Sequence, residues 1–195
     1  MLHLKKLFAL LVSSLVLGAC TFSGAPGNMT TLFDGRNLDN WDEVGGASWT
    51  FRNGYVEGSE ATGYLVSERP YDDFRLIVEF WASEDANSGI FIRCQSNETI
   101  TDRTCYEANI YDRRPDPIYR TGGIVHLASP AAQINAAGQW NRYEILALGS
   151  RLEIRLNGIQ TVTLDDDQFN FDAGYIALQY GMGEVRFREV LIQEL

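Results

Sequence analysis

Short alternating blocks dominate the second half of this chain, each with a polar residue where a plain sandwich would bury an apolar one. The blocks are 87–93, 106–112, 139–145, 156–158, 176–181 and 185–188. Side chains along a strand point alternately to opposite faces. On that periodicity Arg93 shares a face with Phe91 and Asn87, and Glu107 shares one with Asn109 and Tyr111. Charged and amide groups from neighbouring strands would then converge on one sheet face. Such convergence reads as a ligand or catalytic site more readily than as packing. The plainer reading is that Arg93 and Glu107 form a cross-strand ion pair.

The rest of the pattern is strand and turn, with no convincing helix. Asp34-Gly35 and Asn53-Gly54 are tight-turn signals, and 48–51 followed by 54–58 reads as a hairpin. Phe74 to Trp81 sets Leu76, Val78 and Phe80 against Arg75, Ile77, Glu79 and Trp81, a strand with one apolar face. Strands are expected at 143–148 and 151–156, then, after the Asn157-Gly158 turn, at 159–164, 175–180 and 184–194. Trp140-Asn141 is expected to be structural, a core aromatic with its turn. The loop 113–120 holds Pro115 and Pro117, which excludes a central strand and suits a rim over a binding face. The acidic run 165–167 reads as a solvated turn. Repeated short strands of this kind imply an all-β, two-sheet antiparallel sandwich or jelly roll in one domain over 31–195.

The N-terminus has the grammar of an export signal. Lys5 and Lys6 precede an apolar run from Leu7 to Leu17, too short to span a bilayer, and Leu17-Gly18-Ala19-Cys20 follows. The tetrad resembles a bacterial lipobox. Residues 1–19 are then a lipoprotein signal peptide, Cys20 is the lipidated first residue, and 20–30 is a flexible tether. Thr21 and Phe22 are not acidic, which resembles lipoproteins sent to the periplasmic side of an outer membrane. Cys94 and Cys105 remain as an even pair around a polar loop, and an oxidising compartment favours a disulfide between them. The formal net charge is −10, and removing the two signal lysines takes it to −12. So acidic a chain excludes nucleic acid and an anionic membrane surface as partners, and it suits a neutral ligand.

From about Thr31 to Leu195 the chain resembles the 3-keto-disaccharide hydrolase family. The matching pieces are Leu32-Phe33-Asp34-Gly35 with Leu38 and Trp41, Trp49 with Asn53-Gly54, and Asp73-Phe74 with Glu79-Phe80. Asn87-Ser88-Gly89-Ile90 with Arg93, Tyr106-Glu107 with Ile110 and Asp112, and Thr121-Gly122 follow. Trp140-Asn141, Leu156-Asn157-Gly158, Gly174 with Leu178-Gln179, and Phe187-Arg188 complete the ordered set. The chain departs from the family at Tyr180, where members often carry histidine, at Glu189, and at Val125-His126.

The resemblance implies a concanavalin A-like jelly roll acting on glycosides already oxidised to a ketone at sugar carbon 3. That ketone acidifies the C2 proton. A base removes it, the glycosidic oxygen leaves C1, and water adds later. The chemistry needs a base, an oxyanion stabiliser and an acid. Glu107 is the expected base and Arg93 the stabiliser, with His126 or Asp112 as the acid. Asn87, Asn109 and Gln179 would hold hydroxyls, and Trp81 or Tyr111 would stack on a sugar face. His126 shares a face with Ile124, which equally suits a structural histidine. No cofactor is fixed; a divalent metal is admitted through Glu107, Asp112 or the 165–167 carboxylates. The rival functions are a non-catalytic carbohydrate-binding lipoprotein and a structural envelope lipoprotein, since fold does not dictate function.

Overall fold

The structure is a computed structural model and describes residues 29–195. The export signal, Cys20 and nearly all of the tether lie outside the described residues. Its strands are β1 (Thr30–Phe33), β2 (Trp41–Arg52), β3 (Tyr55–Ser67), β4 (Phe74–Ala82), β5 (Ser88–Cys94), β6 (Tyr106–Ile110), β7 (Trp140–Leu148), β8 (Arg151–Leu156), β9 (Ile159–Asp165), β10 (Tyr175–Tyr180) and β11 (Val185–Glu194). The helical content among the described residues is one 3-10 turn, Pro117–Tyr119, which begins at a proline. Asn53-Gly54 and Asn157-Gly158 each place two consecutive residues at positive φ (48° and 85°, 53° and 79°). That is the turn geometry whose twist matches a two-residue hairpin.

The two layers expected of a sandwich are limbs of one continuous antiparallel sheet. Its order is β6-β5-β10-β3-β11-β4-β7-β8-β9, with β1 added to β11 and β2 to β3. Strand β3 is the joint: residues 63–66 pair with β10, and 56–58 pair with β11. The β2–β3 register slips between Gly45 and Ala47, and such a bulge bends a ribbon. The sheet therefore curls until its limbs face each other.

Alternation now explains what is buried. Leu76, Val78 and Phe80 of β4 have no exposure, as the pattern of that strand requires, and they meet Tyr143, Ile145, Ile90, Ile92, Leu178 and Tyr106 in a single core. Burying each such side chain contributes about 1.5–3 kcal/mol. Tyr143 also ties the limbs together. Its hydroxyl donates to the Asn109 carbonyl (2.5 Å) and accepts from the Gly122 N–H (2.7 Å).

A smaller apolar cluster lies on the other side of the β3-β10-β5 limb: Val66, Phe91, Cys94, Ile100, Cys105 and Ala177. The Cys94–Cys105 disulfide sits in it and closes the 95–104 loop over the sheet. A loop of this size gains about 3 kcal/mol from closure in the chain-entropy account. Asp165 and Asp167 are exposed, as a solvated turn requires, but the middle residue of the acidic run departs from expectation. Asp166 is buried, accepting from the Tyr106 hydroxyl (2.6 Å) and from the N–H groups of Gln168 (3.0 Å) and Asn170 (2.8 Å). It organises the 166–170 turn from inside.

Candidate active site

The outer face of the β3-β10-β5-β6 limb, the loop 95–104 and the loop 111–120 enclose a cavity of about 340 Å³. Such a volume suits one small ligand. From β6 it receives Glu107 and Asn109, from β10 Gln179, from β3 Tyr64, and from the entry to β5 Asn87. The alternation that the sequence shows at 87–91 and 107–109 holds here. Asn87, Glu107, Asn109 and Gln179 are brought together as expected.

Glu107 is the chemically distinctive group. It is 8% exposed and faces Phe91 across the ladder. Burial pushes its carboxyl from 4.5 to about 8, the charge of Asp102 adds to this, and Arg114 opposes it. Gly89 provides the room: a Cβ there would come within 2.8 Å of Glu107 Oε1. Asn109 is buried, and its Nδ2 donates to the Tyr119 carbonyl at 2.6 Å, fixing the loop above the sheet. Gln179 Nε2 donates to the Tyr64 hydroxyl (3.3 Å), while its Oε1 is buried without a partner. A buried acceptor left open in a cavity costs free energy that a ligand hydroxyl would recover.

Arg93 is elsewhere. Between Phe91 and Cys94 strand β5 carries one residue more than β10 spends across Tyr175 to Ala177, and Arg93 has φ +51°. This bulge reverses the parity of the strand. Cys94 stays with Phe91, and Arg93 turns away from the cavity. The guanidinium is 1% exposed and fully engaged. It donates to the carbonyls of Asp72 (3.2 Å), Gly149 (2.6 Å) and Phe171 (3.0 Å) and to Asp73 Oδ1 (2.8 Å). It is neither beside Glu107 nor paired with it.

Four further expected residues, Asp112, Tyr111, Trp81 and His126, are also outside the cavity lining. Asp112 has both oxygens occupied, one by the Thr121 hydroxyl (2.6 Å) and the other by the N–H groups of Ala136 (2.8 Å) and Ala137 (2.9 Å). Strand β6 ends at Ile110, so the alternation that would have aimed Tyr111 inward stops before it. The Tyr111 ring lies under the Arg114 guanidinium at 5.1 Å. Trp81 belongs to the opposite limb, where the Arg186 guanidinium covers its ring at 4.4 Å. His126 stands just behind the cavity wall. Its Nε2 is 2.9 Å from Asp102 Oδ2, and its Nδ1 is 3.3 Å from the Tyr119 hydroxyl.

The loops supply what strand periodicity could not show. Arg114 and Tyr119 come from the proline-bearing segment that the sequence marks as a rim, and Thr101 and Asp102 from the disulfide-closed loop. Among the described residues, no group of three His, Cys, Asp or Glu side chains comes together as metal ligands. A second cavity, of about 270 Å³, lies on the outer face of β4, β7 and β8, lined by Arg75, Glu144, Glu153 and Arg155. Glu144 and Glu153 there pair with Arg142 and Arg151 as an ordinary charged sheet surface.

Residues 28–193 match the model of the 3-keto-alpha-glucoside-1,2-lyase-like domain. The chain belongs to that family. Among solved structures it is similar to a protein of Parabacteroides distasonis described as a proposed glycosyl hydrolase. The TM-score is 0.76 at 20% identity, over 86% of this chain and 94% of that one. The carbohydrate binding module CBM66 of Bacillus subtilis superposes with a TM-score of 0.61 at 16% identity, covering 80% and 96%. The lumenal domain of VIP36, solved with Ca²⁺ and Man3GlcNAc, gives 0.61 at 10% identity, covering 86% and 91%. These likenesses establish the curled jelly-roll frame. Among curated proteins, none matches the chain.

Proposed function

We propose that this family member cleaves 3-keto-glycosides by taking the C2 proton with Glu107 and expelling the C1 oxygen. The observation that carries the reading is Glu107 itself: a carboxyl with a pKa near 8, buried among hydroxyl-binding amides. A carboxylate of ordinary acidity is a feeble base for a carbon acid, and raising its pKa towards the working pH is how enzymes strengthen it. Arg114 takes the stabilising role that the sequence assigns to Arg93. It is the guanidinium that lines the cavity, and its central carbon lies over the rings of Tyr111 and Tyr119 (5.1 and 5.7 Å to the ring centroids). Asn87, Asn109 and the open Oε1 of Gln179 are the groups for sugar hydroxyls. The net charge of −10 suits an uncharged sugar better than an anionic one.

The test is to incubate the protein with a 3-keto-glucoside and with the parent glucoside, and to watch for unsaturated or free keto-sugar. Conversion of the keto substrate alone is expected. Because Glu107 acts in its ionised form, kcat/KM should climb with pH from about 5 towards neutrality. A profile flat from pH 5 to 9 would remove Glu107 as the base. Binding of either sugar without conversion would hand the protein to the carbohydrate-binding reading, which the lectin-like frame equally supports.

The lipid anchor belongs to the same proposal. An envelope enzyme tethered through Cys20 would meet sugars on the periplasmic side of the outer membrane. Mass spectrometry of the mature N-terminus is expected to find diacylglyceryl-modified Cys20, and an unmodified Cys20 would refute the anchor.

A further inference from the structure

The mechanism above leaves the leaving group without an acid. Asp112 is fully engaged, and His126 stands behind the wall. The wall itself holds Tyr119. This residue ends the 3-10 turn Pro117–Tyr119, and Asn109 grips its carbonyl at 2.6 Å. Asn109 and Glu107 are neighbours on one face of β6, so the turn that carries Tyr119 is fixed relative to the base. The Tyr119 and His126 rings meet edge to face, with centroids 5.4 Å apart and an interplanar angle of 85°. Asp102, itself part of the cavity lining, holds the other nitrogen of His126 at 2.9 Å. The three side chains form a hydrogen-bonded line in which His126 bridges two residues of the cavity wall.

The turn at His126 would be served at least as well by glycine or asparagine. The Leu127 N–H donates to the Ile124 carbonyl (3.0 Å), closing a turn in which His126 takes the third position with φ +68°. Glycine or asparagine suits that backbone best, and other side chains carry a cost there. What the histidine adds is its ring, placed between Asp102 and Tyr119.

The chemistry of the line follows from its donors. A carboxylate only accepts, so His126 Nε2 carries a hydrogen towards Asp102. In the neutral ring Nδ1 is then an acceptor, and it holds the Tyr119 hydrogen. In the doubly protonated ring Nδ1 donates to the Tyr119 oxygen, and the phenolic hydrogen is released to the cavity.

We propose that Tyr119 gives its proton to the departing glycosidic oxygen, with His126 and Asp102 as the residues that position and reload it. The inference rests on the 3-keto-glycoside reading. In the full step Glu107 takes the C2 proton, the C–H pair forms C2=C3, and the ketone pair moves to its oxygen. As that pair returns, C1=C2 forms and the C1–O pair leaves with the oxygen, which takes the Tyr119 proton. The phenolate takes the Nδ1 proton of His126. The ring regains a proton from water, and Glu107 releases its own to water, so protons balance.

An acid matters most to a poor leaving group. Rates of wild type, Tyr119→Phe, Asp102→Asn and His126→Asn, the last keeping a side chain that tolerates positive φ, are compared on two substrates. These are methyl 3-keto-glucoside and 4-nitrophenyl 3-keto-glucoside. Tyr119→Phe should lose about 10²–10⁴-fold on the methyl glycoside, the usual worth of a positioned acid, and less than about tenfold on the nitrophenyl one. Asp102→Asn and His126→Asn should show the same split, more weakly; a merely structural role would slow both substrates alike. Equal losses on the two, in variants whose melting temperatures match wild type, overturn the acid role of Tyr119. Wild type inert on both substrates overturns the underlying reading instead. Wild type active and Glu107→Gln inactive, with no split at Tyr119, overturns this inference alone.

Discussion

Replacing Arg93 with methionine is expected to destabilise the fold by about 3–5 kcal/mol, the lower part of the range set by about 1–3 kcal/mol for each of three carbonyls left without a donor. Methionine keeps much of the side-chain volume, so the loss isolates the guanidinium. Four hydrogen bonds go with it, and the carbonyls of Asp72, Gly149 and Phe171 lose their donor. Those carbonyls belong to three separate segments that the guanidinium joins. Asp73 keeps the Gly149 N–H at 2.7 Å and is partly exposed, so the carbonyls rather than the carboxylate dominate the loss. Denaturant unfolding checks the figure. A variant as stable as wild type but without turnover would return Arg93 to the chemistry.

The second large effect falls on rate. Glu107→Gln keeps the shape of the side chain and removes the base, and turnover of a 3-keto-glucoside should drop about 10²–10⁴-fold. Stability should move the other way. The folded carboxyl holds its proton up to about pH 8, whereas the unfolded chain releases it near 4.5. The native state thus binds more protons between those values, and stability falls as pH rises through the window. Its contribution is complete below 4.5 and gone above about 8. Glutamine has no proton to lose, so the variant should be more stable than wild type at pH 8 to 9. A residue whose removal costs activity and gains stability is held in place for function.

The strands were legible because both of their signals are local. Period-two burial marks β4, β8 and β10 within a residue of their observed ends, and Asn-Gly marks the hairpins at 53–54 and 157–158. The polar face was legible in part for the same reason: Asn87, Glu107, Asn109 and Gln179 sit in regular alternation and reach one cavity. Arg93 failed because one bulged residue inverts parity, and nothing in 87–94 announces a bulge. Tyr111 and Asp112 failed because β6 stops at Ile110. Trp81 was placed on the right strand, but which limb a strand joins is decided by long-range pairing. Asp102, Arg114 and Tyr119 had no periodicity to betray them. They reach the cavity because a disulfide closes one loop and Asn109 pins the other. The prolines of 113–120 were the one hint, and they gave the rim without naming its residues.

Exchange of the C2 hydrogen tests the central claim most directly, because it reads proton abstraction apart from every later step. A 3-keto-glucoside is incubated in D₂O with wild type or Glu107→Gln, and loss of the C2 proton signal is followed by NMR. Wild type should catalyse removal of that hydrogen, and Glu107→Gln should slow it about 10²–10⁴-fold while still binding the sugar. Exchange by Glu107→Gln at the wild-type rate would contradict the account, as would wild type that binds the sugar and leaves its C2 hydrogen in place.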